Sequence, residues 1–291
     1  MSFINQKIKG ELIEYLSKDG YQNHGFLIPG KKKKLIIGIH GMSGNFYRNI
    51  LVRMSSSFTN QGWGILLVNT RGHDSMARCI IRKGKKTEKK CLGTIYEKFE
   101  DSFYDIQAAV NIAYQLGYKR IILLGHSTGC QKIAYYIYRT KDKRVNSLIL
   151  LAPGDDYNIN KKSLGKKWSS LAEKAKKLMQ QKKESQLLEL FPEFFFSAQR
   201  FNSVSDLKRI ESRLFNYEGN LKEFSAITPP IIALFGSADE HLVKPANKCL
   251  SLLKKKTGSK SLKTIIIKDA DHGFKDHEKE TAEKIIKSLE D

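Results

Sequence analysis

The sequence predicts an α/β protein: a mostly parallel eight-stranded sheet with an N-terminal antiparallel hairpin, helices on both faces and a helical cap inserted between two strand-helix units. Three observations lead there. Short unbroken apolar runs, such as Leu35-Ile36-Ile37-Gly38-Ile39 and Gly64-Ile65-Leu66-Leu67-Val68, read as strands buried on both faces. Between such runs lie segments whose apolar residues step by three and four, the spacing of a helix face. The alternation is broken once, by roughly 70 residues of helical spacing, which is too long for a simple connection.

In chain order, Glu11 to Leu16 and Gly25 to Ile28, with Lys18-Asp19-Gly20 between them, form the hairpin. Leu35 to Ile39 runs into His40-Gly41-Met42-Ser43-Gly44, and a helix follows to about Gln61. Gly64 to Val68 ends at Asn69-Thr70-Arg71-Gly72-His73-Asp74. From Glu97 to Leu116, the residues Phe99, Phe103, Ile106, Val110 and Ala113 mark one helix face, and Gly117 is placed to cap its end. Arg120 to Leu124, Val145 to Leu151, Ile231 to Phe235 and Leu262 to Ile267 read as further buried strands, and the last leads to a helix burying Ala282, Ile285, Ile286 and Leu289. In the interruption, Trp168, Leu171, Ala175 and Leu178 share one helix face, and Leu207, Ile210 and Leu214 another. The expected division is a core of residues 1–154 and 227–291 with a cap of residues 155–226.

A chain of 291 residues that is 41% hydrophobic has material for a sizeable core, which excludes fibrous and intrinsically disordered classes. No apolar run approaches the roughly 18 residues that span a bilayer. The first eleven residues carry neither an uninterrupted apolar stretch nor a small-residue cleavage site, so a soluble, cytoplasmic protein is expected. The net charge of +21 raises nucleic acid or an anionic membrane surface as partners. Lysine supplies 40 of the 51 cations, in scattered runs such as Lys31 to Lys34 and Lys83 to Lys90, whereas phosphate and base contacts favour the arginine fork. A solvated lysine-rich surface of loops and helix faces is therefore the expectation, with peripheral membrane contact left open. Cys79, Cys91, Cys130 and Cys249 form no C-x-x-C pair and no zinc spacing with histidine, so neither a metal nor a cofactor is expected. Whether Cys79 and Cys91 bridge a loop stays open.

The chemistry centres on Gly125-His126-Ser127-Thr128-Gly129, which lies between a buried strand and a helix. That is the G-x-S-x-G pattern in the context that gives it meaning: a tight turn with small flanks, presenting a hydroxyl at the carboxyl end of a sheet. A serine needs a base, and His272 follows the last strand in Asp271-His272-Gly273. Asp239, in Gly236-Ser237-Ala238-Asp239-Glu240, stands at another strand end where it can orient the base. Two donors for an oxyanion are the backbone N–H of Thr128, just after the serine, and that of Met42 in the loop after the first long parallel strand. Asp155 and Asp156, after the sixth strand, are alternative sources of the acid, and His277 is the nearest substitute for His272. His40, His73, His126, Arg71 and Asp74 read as residues that order tight loops.

With these landmarks the chain resembles an α/β-hydrolase over nearly its whole length: H-G after the third strand, R-G-H-D after the fourth, G-H-S-T-G after the fifth, G-S-A-D-E after the seventh and D-H-G-F after the eighth. The resemblance implies Ser127 as nucleophile, His272 as base, Asp239 as acid, and Met42 and Thr128 as oxyanion donors. Residues Glu97 to Ser102 and Gly125 to Gln131 resemble an esterase-like branch that includes fungal siderophore-releasing esterases. It implies hydrolysis of a small carboxylic ester through an acyl-serine, by a serine esterase without a cofactor. Acyl transfer or thioester or amide cleavage by the same triad are alternatives, as is a basic nucleic-acid- or membrane-binding role on a hydrolase scaffold. The aromatic set Phe191, Phe194, Phe195 and Phe196 is expected to divide between packing and an acyl-pocket wall, and the lysines of residues 161–183 either lie near the pocket entrance or point away from it into solvent.

Overall fold

The computed structural model describes residues 8–31 and 33–290. Residues 1–7 of the segment read as lacking a secretory signal, and Lys32 of the first lysine run, lie outside them. Strands β1 (Glu11–Leu16), β2 (Gln22–Ile28) and β3 (Lys34–Ile39) lead to helix α1 (Ile50–Asn60) and strand β4 (Gly64–Val68). Asn49 starts α1 by accepting the Leu51 N–H, and Ile50, Leu51, Met54 and Phe58 form its buried stripe. A hairpin of β5 (Ala77–Lys83) and β6 (Lys86–Leu92) comes next. Two short 3-10 turns precede α2 (Ser102–Gln115), followed by β7 (Arg120–His126), α3 (Thr128–Thr140) and β8 (Val145–Leu151).

The interruption contains α4 (Asp156–Leu164), α5 (Lys167–Gln180), a second hairpin of β9 (Leu187–Phe191) and β10 (Phe194–Ser197), and then α6 (Ala198–Ser205), α7 (Ile210–Leu214) and α8 (Lys222–Ser225). The chain closes with β11 (Ile231–Gly236), α9 (Ala246–Lys256), β12 (Leu262–Ile267) and α10 (Glu278–Glu290).

The main sheet has the order β1-β2-β4-β3-β7-β8-β11-β12. β2 is antiparallel to both its neighbours, and every pairing from β4 to β12 is parallel. Leu35 to Ile39 and Ile121 to Gly125 are buried at every position, so side chains on both pleats are covered and the sheet is sandwiched between helices. α1 packs with α10, while α2, α3, α8 and α9 form a second connected set. This is the fold class that the apolar runs predict.

Four local expectations are corrected. β12 is an edge strand, so only Ile267 is buried and Ile266 is exposed. The lysine run 83–90 is not a loop or helix face but the β5–β6 ribbon, turned at Gly84, with Cys79 and Ile81 packed on Tyr21 beneath it. In its register Cys79 faces Lys90 and Cys91 faces Arg78, so the two thiols point to opposite sides and both are free. The helical insertion also contains the β9–β10 hairpin, whose Leu188 and Leu190 turn inward. Leu207 lies outside α7 and is exposed, because the helix starts only at Ile210.

Within the insertion, Leu164, Trp168, Ala175, Leu178, Phe196 and Phe201 belong to a cluster separate from the main core. Leu214, Phe215, Tyr217, Leu221 and Phe224 join the main core instead. Trp168, 6% exposed, packs edge-on against both Tyr157 and Phe201. Trp168→Ala is expected to cost about 3–5 kcal/mol in urea unfolding. A loss below about 1 kcal/mol would contradict its role as the centre of that cluster.

Candidate active site

Because the strands from β3 to β12 run parallel, the loops that follow them gather along one edge of the sheet. The tightest of these turns joins β7 to α3 through a single residue, Ser127, with φ 55° and ψ −127°. A side chain in this left-handed region is strained by roughly 1–3 kcal/mol and persists only where neighbours fix it. Here the Ser127 N–H donates to Leu151 O at 2.9 Å, and the Ser127 carbonyl accepts the Cys130 N–H at 2.8 Å. The flanking glycines are demanded by contact. A Cβ on Gly129 would lie 2.4 Å from Ile39 O, and one on Gly125 would lie 2.5 Å from the Gly129 carbonyl.

Ser127 shares a cavity of about 450 Å³ with His272, Met42 and Thr128. His272 Nδ1 lies 2.9 and 3.0 Å from the two carboxylate oxygens of Asp239, which is 7% exposed. The His241 N–H donates to the same carboxylate at 2.9 Å, and the His241 ring stands at 90° to that of His272 with centroids 4.6 Å apart. His126 Nε2 meets the His272 carbonyl at 2.9 Å; burial pushes the His126 imidazole down to about 4, so it is neutral at pH 7 and donates that hydrogen. Asp155 is occupied elsewhere: it caps α4 through Asn158 and accepts the Tyr217 N–H. Asp156 lines the cavity and accepts the Thr128 hydroxyl at 3.2 Å. Of the three candidate acids, Asp239 is the one brought to His272.

Met42 stands at the start of a loop pinned from several sides. The Ser43 N–H donates to Thr94 Oγ1, and Asp74 accepts both Asn45 Nδ2 and Arg48 Nη2. Neither the Met42 nor the Thr128 amide has a hydrogen-bond acceptor among the described residues. His40 Nε2 accepts the Thr70 N–H at 3.0 Å, so its Nδ1 carries the proton that bonds Gly41 O at 2.8 Å. Beneath it Lys132 is wholly buried, donating to Thr70 Oγ1 and pairing with Glu97 at 2.6 Å. Arg71 holds Asp105 and Asp19, joining the loop after β4 to α2 and to the first hairpin.

One expectation about the pocket wall is corrected. Phe196 is buried in the cap cluster, Phe194 stacks on it, and Phe191 is partly exposed; the cavity lining contains none of the four phenylalanines. What the insertion contributes is one face of α4: Asp156, Ile159 and Asn160. The lining cations are Arg48, Arg53 and Lys275 from the core, not the lysines of residues 161–183. His241 and Arg53 were not singled out in the sequence, although His241 sits two residues beyond Asp239, on the loop already implicated.

A family model described as "Protein of unknown function (DUF1749)" matches residues 100–290, from the turn before α2 to the end of α10. The chain belongs to this family. It is an α/β-hydrolase-like family, and the solved structures that resemble the chain have the same fold. Est1E from Butyrivibrio proteoclasticus, solved with ferulic acid bound, superposes with a TM-score of 0.68 at 18% identity, over 94% of this chain and 97% of its own. The siderophore hydrolase EstB from Aspergillus fumigatus gives a TM-score of 0.70 at 15% identity over 99% of both chains. Carboxylesterase CesB from Bacillus subtilis gives 0.57 at 16% identity, over 97% of this chain and 92% of its own. No curated protein matches the sequence.

The buried imidazole of His40 makes stability depend on pH. Burial, with Lys132 adding to it, lowers its affinity for a proton to a pKa of about 3 in the folded chain. The unfolded chain takes up that proton first as pH falls through roughly 6.5, so the contribution is complete above that value and is lost progressively towards 3. His40 alone should remove about 2 kcal/mol of unfolding free energy between pH 7 and pH 5. His40→Asn should have a correspondingly shallower pH dependence in urea titrations. An unchanged slope would contradict a neutral, buried His40.

Proposed function

We propose that the protein is a serine hydrolase that cleaves small carboxylic esters through an acyl-serine intermediate. The observation that carries this reading is the convergence, in one cavity, of the strained Ser127 turn and a histidine whose far nitrogen is held by a buried aspartate. In this reading His272 Nε2 takes the Ser127 proton as the hydroxyl attacks the carbonyl carbon. Asp239 keeps the Nδ1–H tautomer aligned and stabilises the imidazolium. Negative charge gathers on the former carbonyl oxygen, where the Met42 and Thr128 N–H groups, already pinned, bind it without reorganising. The imidazolium returns its proton to the departing alcohol. Water then repeats the sequence against the acyl-serine, which releases the acid and restores the serine.

The names of the fold neighbours, an esterase, a siderophore hydrolase and a carboxylesterase, support an ester bond as the target. The insertion would act as a cap, its α4 face closing the cavity over Ser127 with an acid, an aliphatic and an amide side chain. That lining suits an ester with polar substituents better than a long alkyl chain. Among the described residues no helix is long and apolar enough to cross a membrane.

Ser127→Ala should lower kcat on simple aryl esters by on the order of 10⁶ and abolish labelling by a fluorophosphonate. Asp239→Asn should lower kcat by roughly 10⁴ while leaving circular dichroism intact. A Ser127→Ala enzyme that keeps most of its turnover would defeat the serine mechanism, and a loss below tenfold at Asp239→Asn would remove that residue from its role.

A further inference from the structure

Among the described residues, Asp156 is the one carboxyl group that lines the cavity, and it has no role in the chemistry above. It opens α4, is 6% exposed, and its Oδ2 is 3.2 Å from the hydroxyl of Thr128, the residue whose N–H is assigned to the oxyanion. Its surroundings contain more acids than bases. Behind it, among side chains almost fully enclosed, stand Glu211 on α7 and Glu97 before α2, with Arg200 on α6 and Lys132 on α3 as counter-charges. Three carboxyl groups thus share two cations. Glu211 Oε2 is bound by Arg200 Nη1 and by Ser203 Oγ, while burial still pushes the Glu211 carboxyl up, and Glu97 is paired with Lys132. Glu211 and Glu97 each have an ion pair, whereas Asp156 is hydrogen-bonded by the neutral Thr128 hydroxyl, which favours Asp156 as the group that holds the proton. The titratable and charged groups that line the same cavity are His126, His272, His241, Arg48, Arg53 and Lys275.

We propose that Asp156 is a positioning residue that works as a neutral carboxylic acid: it fixes Thr128 through its hydroxyl and keeps negative charge away from the oxyanion site, so that loss of its proton slows catalysis. This rests on the ester-hydrolase reading of Ser127. The charge count is supported by the direction of titration, since burial, reinforced by Glu211, pushes the Asp156 carboxyl up to about 7. Below that value Asp156 is neutral and the enclosed charges balance. Above it a carboxylate stands beside the residue that must bind an oxyanion, and at this range like charges oppose each other strongly in a poorly solvated site. Glu97 is held below the usual carboxylate range despite its burial, because Lys132 and Arg200 lie against it, so it is not the proton holder.

The test uses the intact protein and a neutral aryl ester from pH 5.5 to 9.5. Wild type should give a bell-shaped kcat/KM profile, with a rising limb at low pH and a falling limb of roughly tenfold or more above about pH 7. Asp156→Asn, which keeps an acceptor for Thr128 but cannot ionise, should lose the falling limb and retain the rising one. Glu211→Gln should move the falling limb to lower pH, since it removes a repelling charge and releases Arg200. Independently of turnover, carbon-13 NMR of wild type labelled at aspartate carboxyls should show one resonance titrating near neutral pH that is missing from Asp156→Asn. The inference is overturned if the falling limb survives in Asp156→Asn, or if no aspartate carboxyl titrates above pH 6. Failure of wild type to hydrolyse any ester in a Ser127-dependent way would instead overturn the functional reading, and the inference with it.

Discussion

The backbone contact between Gly129 and the carbonyl oxygens of Ile39 and His40 is the constraint on which the site depends. It lets the first turn of α3 rest against the end of β3, and only because there is no Cβ between them. Two consequences follow from the same approach. The chain must reverse between β7 and α3 through one residue, which forces Ser127 into a positive-φ conformation. The loop carrying Met42 is also drawn beside that residue, so that Met42, Ser127 and Thr128 line one cavity. A larger side chain at 129 would part strand from helix and move the Ser127 hydroxyl away from the loop after β3. The strain at Ser127 is thus inseparable from its placement, and the paired hydrogen bonds to Leu151 and Cys130 retain it.

Around this turn the sheet edge is unusually rich in enclosed polar groups. His40, Thr70, Lys132 and Glu97 form a connected set beneath the loop after β3, and Arg200 and Glu211 extend it into the insertion. Buried ion pairs contribute little net stability, because desolvation offsets most of the attraction. What they impose is uniqueness: a shifted insertion would leave a charge without its partner in an apolar setting, at a cost of several kcal/mol. The insertion is tied to the core by Arg200, whose pairs reach Glu97, and at the level of Thr128 through Asp156. The histidines obey the same logic. His126 and His40 are kept neutral by burial and spend their hydrogens on backbone carbonyls, which orders the loops that carry His272 and Met42.

The sheet was legible in the sequence because parallel strands buried on both faces must be written as unbroken apolar runs, and Leu35 to Ile39 or Ile121 to Leu124 have no other good reading. The β5–β6 ribbon was not legible. Only Cys79 and Ile81 are buried, and most of the other positions are polar or charged, so the period-2 signal is carried by two residues. In β9–β10 the alternation of Leu188 and Leu190 with Glu189 was present but brief, and helical spacing on either side outweighed it. At the site, local chain geometry announces Ser127, since a tight turn needs its glycines. The pairing of His272 with Asp239 follows from two strand ends lying side by side. The pocket wall did not follow from sequence. Which face of α4 covers the cavity, and that Arg53 of α1 reaches it, depend on how the insertion and α10 pack, and no local pattern encodes that.

The account stands or falls on a covalent acyl-serine. Rapid acid quenching during turnover of a slowly hydrolysed aryl ester, followed by proteolysis and mass spectrometry, reads it directly. The peptide containing Ser127 should carry the mass of the acyl group, with fragment ions placing it on Ser127 and its amount rising to a steady level within the first turnovers. Turnover at a rate that requires such an intermediate, with Ser127 unmodified at every quench time and under conditions where deacylation is slowed, would contradict the account.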